Sequence, residues 1–341
     1  MRIRARTAER LRLIALAAVI SAIAGIAFAA RMDRTAASLA LGATIGGLSG
    51  LALASFEVFA QGPAGVRLRH LPLLAALVLR TAVYGAAFLL AGALGPVLLR
   101  MAGLDLSPNA TTLSGASLLL SFAAALVINF YFTLRGLLGA RTMRALMLGR
   151  YRRPREELRI VLFLDLVGST RLAERLGNVA FHGFLSRVVT DITDPILEAG
   201  GEIYRYVGDE VIVTWPFAHG VRDGACIACV VAIDAVLAAR AAGYERDYGA
   251  APRLRGALHA GPVIVGEMGD AKREIVLIGD TMNTAARIEE ACRATGHDFL
   301  ASAALAPALD QPPPGVRVTA LGPTALRGKA EPVALFALAR A

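Results

Sequence analysis

Ile160-Val-Leu-Phe-Leu-Asp165-Leu-Val-Gly-Ser-Thr170 is the stretch on which the reading of this chain turns. Its apolar run, rich in branched and aromatic residues, reads as a buried strand. The strand ends on Asp165, and the turn after it carries Gly168, Ser169 and Thr170. A second short run, Tyr204-Arg-Tyr-Val-Gly-Asp209, ends on another carboxylate. Two carboxylates at the tips of neighbouring strands, beside a turn of small residues, suit a divalent ion carrying phosphates. Hard cations take oxygen ligands, and Mg²⁺ usually uses one or two carboxylates plus substrate phosphates. Small residues let backbone N–H groups approach phosphate oxygens. Singly, Asp165 reads as a helix N-cap and Gly208-Asp209 as a hairpin turn. Together they favour the metal reading.

Outward from this stretch, strand-like and helix-like runs alternate to the end of the chain. Residues 159–165 read as a strand and 171–199 as one or two helices. Residues 202–207 and 211–215 form a hairpin around Gly208-Asp209-Glu210, and 222–242 are helical. Residues 254–259 and 263–267 read as a second hairpin around Gly261-Pro262. A strand at 274–278, a helix at 280–294 and short strands at 317–320 and 333–338 complete the pattern. Strand–helix–strand–strand–helix–strand is the ferredoxin-like, α+β arrangement. Cys226 and Cys229 are spaced as a CxxC, but their setting, GACIACVVAIDAVLA, is an apolar helical run that marks them as core residues. Three cysteines make no disulfide framework, which agrees with a reducing, cytoplasmic location for this half.

Five ordered motifs then carry a family resemblance. They are Phe163-Leu-Asp165-Leu-Val-Gly168-Ser-Thr170, Val207-Gly208-Asp209, His259-Ala-Gly261-Pro-Val263, Ile278-Gly-Asp280-Thr-Met-Asn283-Thr-Ala-Ala-Arg287-Ile-Glu289 and Leu326-Arg-Gly-Lys329-Ala-Glu-Pro332-Val. Residues 158–341 resemble the catalytic domain of class III adenylyl/guanylyl cyclases. The resemblance implies that the 3′-hydroxyl of a nucleoside triphosphate attacks its own α-phosphate and expels pyrophosphate. It assigns two Mg²⁺ or Mn²⁺ ions per site to Asp165 and Asp209, with Leu166 beside the first, and the nucleotide to Gly168, Ser169 and Thr170. It makes Asn283 the ribose-orienting residue and Arg287 the transition-state arginine, four apart on one helical face. A planar guanidinium can donate twice to phosphate oxygens. Either Arg327 or Lys329 meets the triphosphate. The resemblance further implies a head-to-tail homodimer whose two copies share each site.

Two positions depart from the adenylyl pattern. Arg205 stands where a base-reading Lys is usual, and Val276 where an Asp or Thr is usual. Arg205 still donates; Val276 offers no hydrogen bond. The guanine-reading Glu and Cys are absent too. ATP is the favoured substrate, the alternative being guanylyl or relaxed specificity. Arg205-Tyr-Val-Gly-Asp-Glu210 is also similar to the RYGGDEF signature of diguanylate cyclases, but Asn283, Arg287 and the Asp-Leu-Val-Gly-Ser-Thr turn do not suit that family. A third alternative is a weakly catalytic, cyclase-like receptor or binding module.

The first half is of another kind. The 341 residues are 56% hydrophobic and only 18% charged, with a mean hydropathy of +0.56, too apolar for an ordinary soluble protein. Residues 1–157 carry 18 Arg, no Lys and 6 acidic residues, a net +12; residues 158–341 carry 18 basic and 21 acidic residues, a net −3. The Arg flank apolar segments, which is the positive-inside pattern of a membrane protein and argues against nucleic acid as a partner. Segments 11–30, 36–60, 71–99 and 111–134 each reach the roughly 20 residues a bilayer-spanning helix needs. The sequence thus divides into a four-helix membrane domain at 1–134, a basic helical connector at 135–157 that Pro154 should end, and the cyclase-like domain at 158–341. The Arg-rich flanks predict a multi-pass inner-membrane protein with its N-terminus and catalytic domain in the cytoplasm. Gly42, Gly46, Gly47 and Gly50 predict close helix approach in the second span. Glu57 and Arg80 lie within spans and either pair with each other or snorkel to headgroups.

Overall fold

The computed structural model describes residues 2–32, 34–61, 71–104, 106, 126, 129–130, 133–134, 143, 149–271 and 273–341. It divides into two compact units, Met1–Arg144 and Ala145–Ala341.

Three long helices make up most of the described part of the first unit: α1 (Arg2–Met32), α2 (Ala36–Gln61) and α3 (Leu73–Met101). Even the 26 residues of α2 extend about 39 Å at 1.5 Å per residue, enough to cross a hydrocarbon core. Along α3, Leu74, Val78, Leu89, Leu90, Leu94 and Val97 are exposed, an apolar outer surface suited to lipid. Helices α1 and α2 meet backbone to backbone: a Cβ on Gly42 would stand 2.4 Å from the Gly25 carbonyl oxygen. The small-residue face predicted for the second span is therefore an interhelical seam. Glu57 is buried, accepts the Tyr84 hydroxyl and lies 3.4 Å from Arg80 Nη1. Of the two alternatives, the structure adopts the pair. The fourth expected span, 111–134, and most of the connector lie outside the described residues; Leu126, Asn129, Phe130, Thr133 and Leu134, which are described, are helical.

The second unit carries a mixed eight-stranded sheet: β1 (Arg155–Leu166), β2 (Glu202–Val207), β3 (Glu210–Pro216), β4 (Leu254–Met268), β5 (Glu274–Ile278), β6 (Phe299–Ser302), β7 (Val316–Thr324) and β8 (Val333–Arg340). The order is β2-β3-β1-β4-β6-β8-β7, with β5 on β4. Its helices are α4 (Ser169–Leu176), α5 (Asn178–Glu198), α6 (Ala225–Tyr248) and α7 (Asp280–Thr295). The four strands in the order β2-β3-β1-β4, with α4 and α5 between β1 and β2, a turn between β2 and β3, and α6 between β3 and β4, form the ferredoxin-like core expected from the sequence.

Alternation along β1 places its two faces in different cores. Ile160, Leu162, Leu164 and Leu166 pack with Phe184, Val188, Ile192 and Ile196 of α5 and with Cys226, Ile227, Val230 and Ile233 of α6. Val161 and Phe163 pack on the other face with Ile212 of β3 and Ala285 of α7. By length and apolar composition alone, residues Arg222–Tyr248 would qualify as a membrane span. Their apolar side chains are instead consumed by this core, Cys226 and Cys229 among them, and burial pushes the Cys226 thiol up to about 12.

Three expectations need correction. Strand β1 starts at Arg155 rather than at residue 159. The hairpin expected around Gly261-Pro262 does not exist: β4 runs unbroken from Leu254 to Met268 and pairs with β1 from Arg155 to Leu166. A proline is tolerated in a strand where no ladder bond is lost. β4 passes at 259–263 from its parallel partner β6 to its antiparallel partner β5, and there the Pro262 carbonyl accepts the Thr281 hydroxyl at 2.7 Å. Gly261 is needed for space, since a Cβ there would stand 2.4 Å from Thr281 Oγ1. β6, four residues long, was not anticipated, because so short an apolar run has no period of its own.

Candidate active site

Asp165 continues the alternation of Val161 and Phe163, so it leaves β1 on the α7 side of the sheet. Gly168, in the left-handed region at φ +74°, then turns the chain into α4, which begins at Ser169. The second carboxylate, Asp209, follows Gly208 (φ +63°) in the turn between β2 and β3. β3 pairs with β1, which brings the two tips together. Asp165 and Asp209 come within hydrogen-bond reach of one another, and burial, followed by the neighbouring Asp209, lifts the Asp165 carboxyl above its ordinary range. The Leu166 side chain is in the core, but its backbone serves the site by hydrogen-bonding the Asp165 carboxylate.

Two further acids crowd these two. Burial, then Asp165, Glu289 and Asp209, pushes Glu210 up to about 7. Glu289, from α7, is raised by burial and by Asp165. Arg255, opposite Asp165 in the β1–β4 ladder, offsets part of this charge. Mutual repulsion between partly buried carboxylates is what a divalent cation relieves, so Asp165 and Asp209 fit an ion that substrate oxygens would share. Among the described residues, no group of three or more His, Cys, Asp or Glu side chains is placed to hold an ion by itself.

Asn283 and Arg287 lie one turn apart on α7, Asn283 exposed and Arg287 paired with Glu290 at 2.5 Å. No hydrogen bond or ion pair among the described residues joins either to Asp165 or Asp209. Of the two basic candidates near the C-terminus, Lys329 pairs with Asp280 at the start of α7, whereas Arg327 is exposed. Arg205 pairs with Glu274 at 2.5 Å, and Val276 is half-buried on the same strand as Glu274. The sequence reading missed Glu210, Glu274 and Glu289. Glu210 adjoins a motif aspartate, and Glu289 lies two residues beyond Arg287 on α7. Glu274 carried no local signal, since its partner is 69 residues away.

Residues 153–339 match the family model for the adenylate and guanylate cyclase catalytic domain. Over 211 residues the chain is 42% identical to "Adenylate cyclase 2" of Rhizobium meliloti, covering 62% of this chain and 58% of that protein. It is 30% identical to "Adenylate cyclase" of Anabaena cylindrica over 41% of this chain and 28% of that one. The chain therefore spans less than two thirds of the length of these relatives. In fold it is similar to a bacterial light-regulated adenylyl cyclase, with a TM-score of 0.54 and 20% identity over 66% of this chain and 65% of the other. With the family match spanning more than half its length, the chain belongs to the adenylate and guanylate cyclase catalytic domain family.

Proposed function

We propose that this protein is a membrane-anchored adenylate cyclase that converts ATP to 3′,5′-cyclic AMP and pyrophosphate at a site shared by two copies of the chain. The observation that carries the reading is the meeting of Asp165 and Asp209 beside the Gly168-Ser169-Thr170 turn. Two Mg²⁺ or Mn²⁺ ions, when bound, acidify the 3′-hydroxyl and neutralise the triphosphate. Asp165 and Asp209 hold them, with the Leu166 backbone alongside. Backbone N–H groups from Gly168 to Thr170, at the start of α4, meet phosphate oxygens. Asn283 orients the ribose, and Arg287 exchanges Glu290 for the charge that builds on the α-phosphate. Lys329 meets the triphosphate, and Arg205 and Val276 line the base.

A head-to-tail homodimer completes the site: no hydrogen bond or ion pair among the described residues joins Asn283 or Arg287 to either aspartate, and Arg287 pairs with Glu290 instead. One copy brings the aspartates and the other brings Asn283, Arg287 and Lys329. The apolar helices and Arg-rich flanks support a multi-pass anchor in the inner membrane, with the N-terminus and catalytic unit cytoplasmic. The membrane domain takes residues 1–134 and a basic connector follows it, the catalytic domain including the whole of β1 from Arg155. The test is turnover by the full chain in detergent with Mn²⁺ and ATP, the products being identified by mass. Cyclic AMP with equimolar pyrophosphate is the expected result, and a chelator should stop it. A demonstrably dimeric preparation that leaves ATP intact, or yields a cyclic dinucleotide, overturns the reading.

A further inference from the structure

The register of β2 against β3 shifts between Ile203 and Arg205: Ile203 lies opposite Val213 and Arg205 opposite Ile212, which leaves Tyr204 as the extra residue of a bulge. Val213 belongs to the core under α5 and α6, Ile212 to the cluster under α7. Ile203 and Arg205, two residues apart and so on one face of a regular strand, thereby lie opposite neighbours from different faces, and Arg205 reaches across to β5. Bulges commonly re-aim side chains in this way beside active sites. Two contacts bind the bulge to β5. The Tyr204 hydroxyl accepts the Leu277 backbone N–H at 2.9 Å, and Arg205 Nη2 donates to Glu274 Oε2 at 2.5 Å. On β5, Ile275 and Leu277 pack inward with Val263, Val265 and Met282. Glu274 and Val276 thus share the opposite face of the strand. The Arg205 and Glu274 side chains are each 40% exposed.

We propose that Arg205 and Glu274 together read the hydrogen-bonding edge of the purine, Glu274 supplying the acceptor that Val276 lacks. This rests on the cyclase reading above and extends it to a residue outside the family motifs. A guanidinium only donates and an ionised carboxylate only accepts. Adenine presents an acceptor at N1 beside a donor at its 6-amino group; guanine reverses both, with N1–H beside O6. Arg205 on N1 and Glu274 on the 6-amino group satisfy adenine. Guanine in the same pose sets donor against donor and acceptor against acceptor, and a repulsive element of this kind is how a site rejects a near-isostere. The mutual pairing of Arg205 and Glu274 also leaves the pocket without net charge, which suits a neutral base.

The experiment compares kcat/KM for ATP and GTP in the full-length protein with Mn²⁺, for the wild type, Glu274→Ala, Glu274→Gln and the double exchange Arg205→Glu/Glu274→Arg. Loss of one charge-assisted bond to the ligand corresponds to roughly a 10- to 100-fold change, so Glu274→Ala should lower the ATP/GTP ratio by about that factor. Glu274→Gln, whose amide donates as well as accepts, should lower it less. The double exchange restores an ion pair between β2 and β5 but reverses the order of donor and acceptor, and it should prefer GTP. If the pair only braces β5, the double exchange recovers the wild-type ratio and Glu274→Ala lowers both nucleotides alike; either result overturns the proposal. Competition of ATP and GTP against a fluorescent nucleotide on the same variants reads base preference without turnover. Failure of the cyclase reading, a wild type that forms no cyclic nucleotide, is thereby distinguished from failure of the base assignment.

Discussion

Lys329 Nζ rests on the Asp280 carboxylate, tying the connection between β7 and β8 to the first residue of α7. The Asp280 side chain is 76% exposed, and an exposed ion pair contributes about 0–1 kcal/mol. A triphosphate carries several charges and can therefore take the lysine from it. Lys329→Ala should raise KM for ATP by about tenfold or more, the loss of one bond to a charged group. Asp280→Asn, which merely frees the lysine, should change KM by less than about fivefold. Initial-rate kinetics on both variants, with Arg327→Ala as the comparison, check this. An Arg327→Ala effect as large as that of Lys329→Ala would move the phosphate contact to the other residue.

Among the described residues Arg287 pairs with Glu290, and no hydrogen bond or ion pair joins it to Asp165; a site shared between two copies has a direct consequence in mixed dimers. Asp165→Ala and Arg287→Ala chains should each be inactive alone, with turnover reduced by at least about 100-fold. Co-expressed and purified as mixed dimers through two affinity tags, they should recover activity through one intact composite site. Mixed dimers that form and stay inactive would show that each chain builds its own site. Asp209→Ala should behave as Asp165→Ala does and be rescued by the same partner.

Gly261 lets α7 lie directly on β4. A Cβ there would stand 2.4 Å from Thr281 Oγ1 and 3.4 Å from Thr281 Cβ. Gly261→Ala should therefore push the first turn of α7 off the strand, and overpacking of this order costs roughly 1–3 kcal/mol. Because Asn283 and Arg287 ride on that helix, kcat should fall with the stability. Gly261→Ala/Thr281→Ala, which removes the clashing atoms, should recover part of both losses in thermal unfolding and turnover. A double variant no better than the single would place the clash elsewhere.

His259, on β4 with Nδ1 2.7 Å from Ser302 Oγ, is held neutral: burial, then the nearby Lys329, lowers its pKa to about 4 from an ordinary 6.5. The unfolded chain thus binds a proton at this residue at a higher pH than the folded one. Stability associated with His259 is complete above about pH 6.5 and is lost as the pH falls toward about 4. The full loss corresponds to roughly 3 kcal/mol. His259→Asn should flatten the decline in Tm between those pH values relative to the wild type. Parallel curves would show that other groups carry the acid sensitivity.

Much of the site was legible because its residues close short motifs. Asp165 ends an apolar run and Asp209 follows a glycine at a strand end, so both could be located without knowing what packs on what. Asn283 and Arg287 share a helix, and helical spacing alone puts them on one face. Glu210 and Glu289 are acids among many, and only the folding of β1, β3 and α7 onto one another makes them neighbours of Asp165. The false hairpin at Gly261-Pro262 has the same origin. Gly-Pro reads as a turn locally, while twelve residues of pairing with β1 hold β4 straight.

Hydrophobic periodicity and motif order, both local properties of the chain, determined by themselves that an apolar helical half precedes an α+β half, and they singled out the carboxylates and cations proposed for its site. They marked Cys226 and Cys229 as core residues of an apolar helical run, but could not say which strands and helices that run packs against. Nor could they pair Glu57 with Arg80 or Arg205 with Glu274. Those choices depend on which surfaces the backbone brings within a few ångströms, and contact across 23 or 69 residues is decided by packing, not by neighbours in sequence.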